Sequence, residues 1–181
     1  MHAEYDVAAA KIVAETERLR LRHVHFGDAA FLLDLLNQPT FLQFIGDKGV
    51  RTLDDARAYI ENGPIASYAE HGFGLYIVEI KSNGVRAGTC GILKKPALNH
   101  PDIGFAFPPE YWGAGYAYEA AQAVMAHAHR DCGIARICAV VDPENAASIK
   151  LLRKLGMQPT GRVQLSPNDK ELELFETDLP S

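Results

Sequence analysis

Two closely spaced glycines, Gly113 and Gly115, stand between a strand-like run at 103–107 and an apolar helical run at 119–129. Glycine lets the backbone come close to a ligand, and the first amides of a helix have no partner within the helix. These free N–H groups, together with the positive end of the helix dipole, attract anions. The spacing therefore predicts a cradle for phosphate groups and, with it, a phosphorylated cofactor.

Two other phosphate-binding loops fit this stretch poorly. A Walker loop ends in Gly-Lys-Ser/Thr, whereas Tyr116-Ala117-Tyr118 follows the second glycine here. A dinucleotide-binding loop needs a third glycine, where this chain has Tyr118, and follows the first strand of its fold. The sequence therefore disfavours a nucleotide-dependent kinase or dehydrogenase.

The elements that must position this loop continue downstream. A β-branched run at 134–141 has the length of a buried strand, and an apolar helical run follows at 149–155. Asn145 is a natural N-cap for that helix, and Gly156 is a natural stop after it. Ser148 lies in the first turn of the same helix. The pattern predicts a strand–loop–helix–strand–helix unit with the glycine loop at its start.

The chain resembles the GNAT superfamily of acyl-coenzyme A-dependent N-acetyltransferases in the order of its motifs. A strand is followed by the GxGYAxEA loop, a helix, a second strand, the V-x-x-x-N-x-x-S motif, a second helix and L-G. The chain is most similar to the branch typified by the ribosomal-protein-alanine (RimJ/RimL-like) enzymes, whose first strand the opening at 15–22 also resembles. The resemblance covers about residues 15–177. It implies an α/β fold with a mixed six- to seven-stranded sheet, a splayed fourth and fifth strand, and about four flanking helices.

The resemblance also implies which residues contact acetyl-CoA. Backbone amides of the fourth strand would bind the pantetheine arm and polarise the thioester oxygen, and the glycine loop would hold the pyrophosphate. The asparagine of the N-x-x-S motif would bond the pantetheine arm, and its serine would lie near the thioester sulfur. The implied cofactor-binding residues are Phe105, Ala106, Phe107, Trp112, Gly113, Ala114, Gly115, Tyr116, Ala117, Asn145 and Ser148.

Ser148 and Asp102 are the candidate catalytic residues. Many superfamily members carry a carboxylate at the start of the fourth strand, where Asp102 could accept the amine proton directly or through water. A solvated Asp102 at a strand edge is the competing interpretation, as is a purely capping Asn145. Two departures from the resembled enzymes stand out: Pro167 occupies the place of a glutamate base, and Leu152 occupies the place of a tyrosine acid.

Composition limits the classes of partner. The 181-residue chain can bury one core, which predicts a single domain at 15–181 after a short, partly ordered leader at 1–14. A net charge of −5 argues against general nucleic-acid binding, and no apolar run is long enough to span a membrane. Three cysteines without CxxC spacing fit reduced thiols in the cytoplasm and no metal site. The sequence leaves a homodimer open.

Together these features predict an N-acetyltransferase that moves an acetyl group from acetyl-CoA to a primary amine by direct attack in a ternary complex. The alternative is a domain of the same fold that binds acyl-CoA as a non-catalytic sensor, because the tyrosine acid and glutamate base are missing. The sequence contains no code that separates a protein N-terminus from a polyamine, an amino acid or an antibiotic as the acceptor.

Overall fold

A computed structural model describes residues 10–180 and shows one eight-stranded sheet with helices on both faces. Residues 1–9 of the expected leader lie outside the described range. The strands are β1 Ile12–Glu15, β2 Leu19–His23, β3 Leu75–Ile80, β4 Arg86–Leu93, β5 Asp102–Ala106, β6 Arg136–Val141, β7 Gln158–Val163 and β8 Leu172–Asp178. The α-helices are α1 Ala29–Leu36, α2 Pro39–Phe44, α3 Leu53–Ile60, α4 Ala66–His71, α5 Tyr116–Cys132 and α6 Ala146–Lys154.

The predicted mixed α/β sheet is confirmed, although residues 10–180 contain more elements than the sequence indicated. The additional strand is β1, a four-residue edge strand that pairs antiparallel with β2. The additional helices, α2 and α4, have six residues each. Fewer than two helical turns give too few positions for an apolar periodicity to show, which explains why the pattern missed them.

The sheet order is β1-β2-β3-β4-β5-β6-β8-β7, with β5 and β6 as its one parallel pair in the described chain. These two strands correspond to the fourth and fifth strands of the sequence analysis, since β1 shifts the count by one. Within residues 10–180 they pair in register only at Asp102 and Cys138, next to a hydrogen bond from the Cys138 amide to the Pro101 carbonyl of 3.0 Å. Beyond that point the two strands are no longer paired, in agreement with the expected splay, and we call the space between them the slot.

The two faces of the sheet carry separate cores, which we call the α5 face and the α1 face. Helices α5 and α6 contribute to the first core, for example through Val124 and Leu152. Helices α1 to α3 contribute to the second core, which Ala106 of β5 also contacts. Because alternate residues of a strand point to opposite faces, Asp102 lies on the α1 face with Ala106, and Ile103 on the α5 face.

A buried ionic network fixes α1 to the sheet. Asp28, fully buried before the first turn of α1, accepts two hydrogen bonds from Arg22 of β2 at 2.9 Å each. It also accepts from the Arg86 side chain of β4 at 2.6 Å and from the His25 amide at 3.0 Å. Burial alone would raise the pKa of Asp28, but Arg22 and the other donors hold it below its ordinary value of 3.8. The carboxylate therefore stays ionised and joins α1 to two strands.

We expect Asp28→Asn to lower the free energy of unfolding by about 3 kcal/mol, because it removes one of the two carboxylates that pair with buried Arg22 and leaves only Glu79. A carboxyl group whose pKa is lower in the folded protein contributes stability above its unfolded pKa and loses it as the pH falls through the folded value. The difference between wild type and variant should therefore be full at pH 7 and shrink below about pH 4. Urea denaturation at both pH values measures it.

Asp54→Asn is the matched control, since Asp54 forms an ion pair with Arg57 at 3.0 Å on the open surface of α3. It should leave the unfolding free energy unchanged, because exposed pairs contribute little. Equal effects of the two substitutions would contradict the role of the buried network.

Candidate active site

The glycine loop forms the connection between β5 and α5. A 3-10 turn at Pro109–Tyr111 follows the strand, and α5 begins at Tyr116 with Gly115 as its N-cap. Gly113 and Gly115 have φ angles of 79° and 82°, in the left-handed region that favours glycine. The loop therefore requires both glycines for its backbone conformation, in addition to any close approach of a ligand.

The backbone amides from Gly113 to Tyr118 donate to no acceptor among the described residues. Helical bonding starts only with the Glu119 amide, which donates to the Gly115 carbonyl at 3.1 Å. A run of free N–H groups at the positive end of a 17-residue helix is suited to bind an anion. The observed geometry is thus the one that the predicted phosphate cradle requires.

Trp112 differs from the other residues of the loop. Its amide donates to the Pro109 carbonyl at 3.1 Å, so the free amides begin one residue later than the sequence pattern placed them. Its indole N–H donates to the Phe107 carbonyl at 2.7 Å, yet 54% of the residue remains exposed. Trp112 thus offers a fixed aromatic surface beside the cradle instead of a backbone donor.

Asn145 and Ser148 lie at the start of α6, directly after β6. The Asn145 side-chain oxygen accepts from the Ser148 amide at 3.2 Å, so the capping interpretation of Asn145 describes its contacts within the chain. Ser148 lies one helical turn before Leu152, whose side chain packs into the core of the α5 face. Its hydroxyl has no hydrogen-bond partner among residues 10–180, and the residue is half-buried.

Asp142 is a buried carboxylate at this end of β6 that sequence reasoning did not single out. One of its oxygens accepts from the Glu144 amide at 2.9 Å, and the other forms an ion pair with Lys170 from the β7–β8 loop. Burial alone would raise the pKa of Asp142, but Lys170 and the Glu144 amide hold it below its ordinary value. The local Asp-Pro-Glu-Asn sequence indicates the turn. It does not reveal the ion pair, because the partner lies 28 residues away in the sequence.

Asp102 is buried at the closed end of the slot, with 1% of its surface exposed, so the competing interpretation of a solvated strand-edge carboxylate does not describe this chain. Its Oδ2 accepts from the Lys95 ammonium at 2.9 Å, while its Oδ1 has no hydrogen-bond partner among the described residues. Burial raises the pKa of Asp102 above its ordinary value, and Lys95 offsets only part of this effect. A buried carboxylate with a free oxygen and a raised pKa can accept a proton.

Cys138 lies opposite Asp102 in the register of β5 and β6. Its thiol donates to the His100 carbonyl at 3.3 Å. Burial, and then the nearby charge of Asp102, raises the pKa of Cys138 to about 12. The thiol therefore stays protonated near neutral pH and is a poor nucleophile.

The structure brings the glycine loop and the start of α6 to the same end of the slot but places Asp102 elsewhere. The loop follows β5 and α6 follows β6, so both lie at the carboxyl ends of the parallel strands. Asp102 begins β5, roughly 13 Å away along the four-residue advance to Ala106. It also lies on the α1 face, whereas Ser148 lies on the α5 face. The two candidate catalytic residues can meet one substrate only through the slot.

Residues 10–180 contain no cluster of three or more histidine, cysteine or acidic side chains arranged to hold a metal ion. No helix within that range combines the length and apolar character needed to cross a membrane.

Comparison with known sequences points to one family. The acetyltransferase (GNAT) domain model matches residues 18–158. The chain is 33% identical over 151 residues to the uncharacterized protein YkkB of Bacillus subtilis (strain 168), covering 82% of this chain and 86% of YkkB. It is 29% identical over 146 residues to the uncharacterized N-acetyltransferase YnaD of the same organism, covering 81% and 82%.

Comparison with solved structures supports the same fold. RimL, a ribosomal L7/L12 alpha-N-protein acetyltransferase solved in complex with coenzyme A, superposes with a TM-score of 0.79. The two chains share 18% identity, and the match covers 93% of this chain and 98% of RimL. The shared fold therefore includes a protein of the branch that the sequence resembles.

Proposed function

Because this chain belongs to the acetyltransferase (GNAT) domain family, we propose that it transfers an acetyl group from acetyl-CoA to a primary amine by direct attack in a ternary complex. One observation carries the proposal: the run of free amides from Gly113 to Tyr118 lies at the open end of the slot between β5 and β6. A pyrophosphate on the amides would leave the pantetheine arm free to enter the slot.

The residues present are suited to the pyrophosphate and pantetheine parts of coenzyme A. The amides of the glycine loop would bind the pyrophosphate, and the exposed indole of Trp112 lies beside them. The edge of β5 from Phe105 to Phe107 would bind the pantetheine arm and polarise the thioester carbonyl. The side-chain NH₂ of Asn145 would donate to the arm while its oxygen caps α6. RimL, which has this fold, was solved with coenzyme A.

The reaction requires a neutral amine, a polarised carbonyl and a thiolate that can leave. The amine nitrogen would form a bond to the carbonyl carbon, the C–S bond would break, and the amine proton would pass to the free Oδ1 of Asp102, directly or through water. A raised pKa suits this role, because a base works best when its pKa approaches the operating pH. The Ser148 hydroxyl would donate to the departing thiolate.

The opposite placement of Asp102 and Ser148 suits this division of roles. An acceptor amine would approach the thioester from the α1 face, where Asp102 lies, and the sulfur would depart on the α5 face, where Ser148 lies. The sheet would therefore separate the incoming amine from the leaving thiol. Protein N-termini, polyamines, amino acids and antibiotics all present the amine that this chemistry needs.

A non-catalytic acyl-CoA sensor is the second candidate. Leu152, which stands where other superfamily members have a tyrosine acid, is 1% exposed and packs into the core of the α5 face. It therefore provides no proton donor, and the sensor would need only the cradle and the slot.

The two candidates differ in one measurable product. Purified protein is titrated with coenzyme A by calorimetry and then assayed for free thiol with acetyl-CoA and a panel of amines. An acetyltransferase binds coenzyme A and releases thiol with at least one amine, and mass spectrometry of that amine shows an added acetyl group. Binding without thiol release for any amine would favour the sensor, and absence of binding would contradict both.

Asp102→Asn should lower kcat/KM on the order of 100- to 10,000-fold near neutral pH, because it removes the proton acceptor at nearly constant volume. Activity should recover partly at high pH, where more of the amine is neutral. Lys95→Met provides a second measurement, since the Lys95 charge offsets the effect of burial on the pKa of Asp102. The acid limb of the pH–rate profile of Lys95→Met should therefore move to higher pH. Unchanged profiles in both variants would exclude Asp102 as the base.

Asn145→Asp and Asn145→Ala separate capping from cofactor binding. Aspartate keeps the oxygen that accepts from the Ser148 amide, so it should leave the unfolding free energy near wild type, whereas alanine should cost about 1 kcal/mol. Both variants lose the side-chain NH₂ and should bind coenzyme A more weakly by calorimetry. If the aspartate variant binds as tightly as wild type, Asn145 acts as a cap alone.

A further inference from the structure

The turn between β1 and β2 is bonded to the start of α5 through the carboxylate of Glu119. Glu119 of α5 accepts from the Thr16 hydroxyl at 2.6 Å and from the Arg18 amide at 3.1 Å through Oε1. Its Oε2 accepts from Arg18 Nε at 2.7 Å and lies 2.6 Å from Arg18 Nη2. We call Thr16, Arg18 and Glu119 the clasp. It joins the β1–β2 turn to the first turn of α5.

Arg18 reaches past Glu119 into the loop. Its Nη1 donates to the Ala114 carbonyl at 2.8 Å, and its guanidinium lies 4.6 Å from the centre of the Tyr116 ring. A Cβ built on Gly115 would lie 3.4 Å from Arg18 Nη2. The guanidinium therefore packs against one side of the loop at three successive positions, the carbonyl of Ala114, the α-carbon of Gly115 and the ring of Tyr116.

The contact with Ala114 decides where the next amide points. In a trans peptide the C=O and the following N–H point in opposite directions, and the described chain contains no cis bond. Because Arg18 holds the Ala114 carbonyl on its own side, the Gly115 N–H must face away from Arg18. There the Gly115 N–H donates to no acceptor among residues 10–180. The clasp therefore fixes an amide of the cradle without occupying it.

The solvent exposure of the clasp side chains indicates whether the clasp affects stability or ligand binding. The side chains of Arg18 and Glu119 are 42% and 20% exposed, and an ion pair this accessible adds little to global stability. The bonded loop contains two glycines at positive φ, which have more conformational freedom than other residues. Holding such a loop in one shape lowers the entropy lost on binding. The effect of the clasp should therefore appear in ligand affinity.

We propose that Arg18 and Glu119 are positioning residues for the pyrophosphate of the acyl-CoA substrate, acting through the peptide between Ala114 and Gly115. The inference rests on the proposed function of the same site and assigns to the N-terminal strand segment the task of shaping the cradle. It requires no contact between either side chain and the acetyl group.

The test compares substrates with and without the phosphates in Arg18→Gln and Glu119→Gln. Calorimetric Kd for coenzyme A should rise on the order of 10-fold in each variant, as should KM for acetyl-CoA, while kcat at saturation stays near wild type. The kcat/KM for S-acetylpantetheine, which lacks the pyrophosphate, should not change. Arg18→Lys keeps the charge but cannot bond Glu119 and Ala114 with the same fork, so its Kd should fall between those of wild type and Arg18→Gln.

Arg20→Gln is the matched control, because Arg20 forms a comparable ion pair with Glu15 at 2.8 Å beside the same turn without contacting the loop. It should bind coenzyme A as wild type does. An unchanged Kd in Arg18→Gln and Glu119→Gln would overturn the inference. Equal losses with acetyl-CoA and S-acetylpantetheine would also overturn it, since they would show a general structural role. Wild-type protein that fails to bind coenzyme A would instead refute the proposed function itself.

Discussion

The candidate site depends on one interruption of pairing, the point where β5 and β6 stop being neighbours. The strands meet in register at Asp102 and Cys138 and then separate, so the sheet opens within its own plane. Pro108 and Pro109 follow β5 after a single residue, Phe107, and have no N–H to extend a ladder, which ends the strand and turns the chain towards α5. The slot, the glycine loop above it and the start of α6 beside it are all consequences of this separation.

The sheet also acts as a partition. Alternation along β5 puts Asp102 on the α1 face, and amphipathic packing of α6 puts Ser148 on the α5 face. A substrate threaded between the strands would be accessible from both sides at once, with a buried carboxylate on one side and a hydroxyl on the other.

The sequence was sufficient for features that neighbouring residues determine. The glycines of the loop, the Asn145 cap and the splayed pair follow from local motifs and the resemblance, and the mixed sheet agrees with them. It was insufficient where burial or a remote partner decides the outcome. Asp102 is buried rather than solvated, although its partner Lys95 is close in sequence, and Glu119 binds Arg18 from 101 residues away. Burial and ion pairing depend on which strands become neighbours in the sheet. The spacing of residues along the chain does not predict these neighbours.

The clasp resolves a conflict within the glycine loop. Free amides can bind an anion only if the protein leaves them without acceptors. A loop whose amides are unbonded and which contains two left-handed glycines, however, has many accessible conformations. Bonding the carbonyl side of the loop solves both problems, because it fixes the peptide and leaves its N–H free. Arg18 bonds that side while Glu119, on α5 itself, holds Arg18. The opening Thr-Glu-Arg-Leu segment and the GxGYAxEA loop are therefore two parts of one structural unit, separated in sequence by most of the domain.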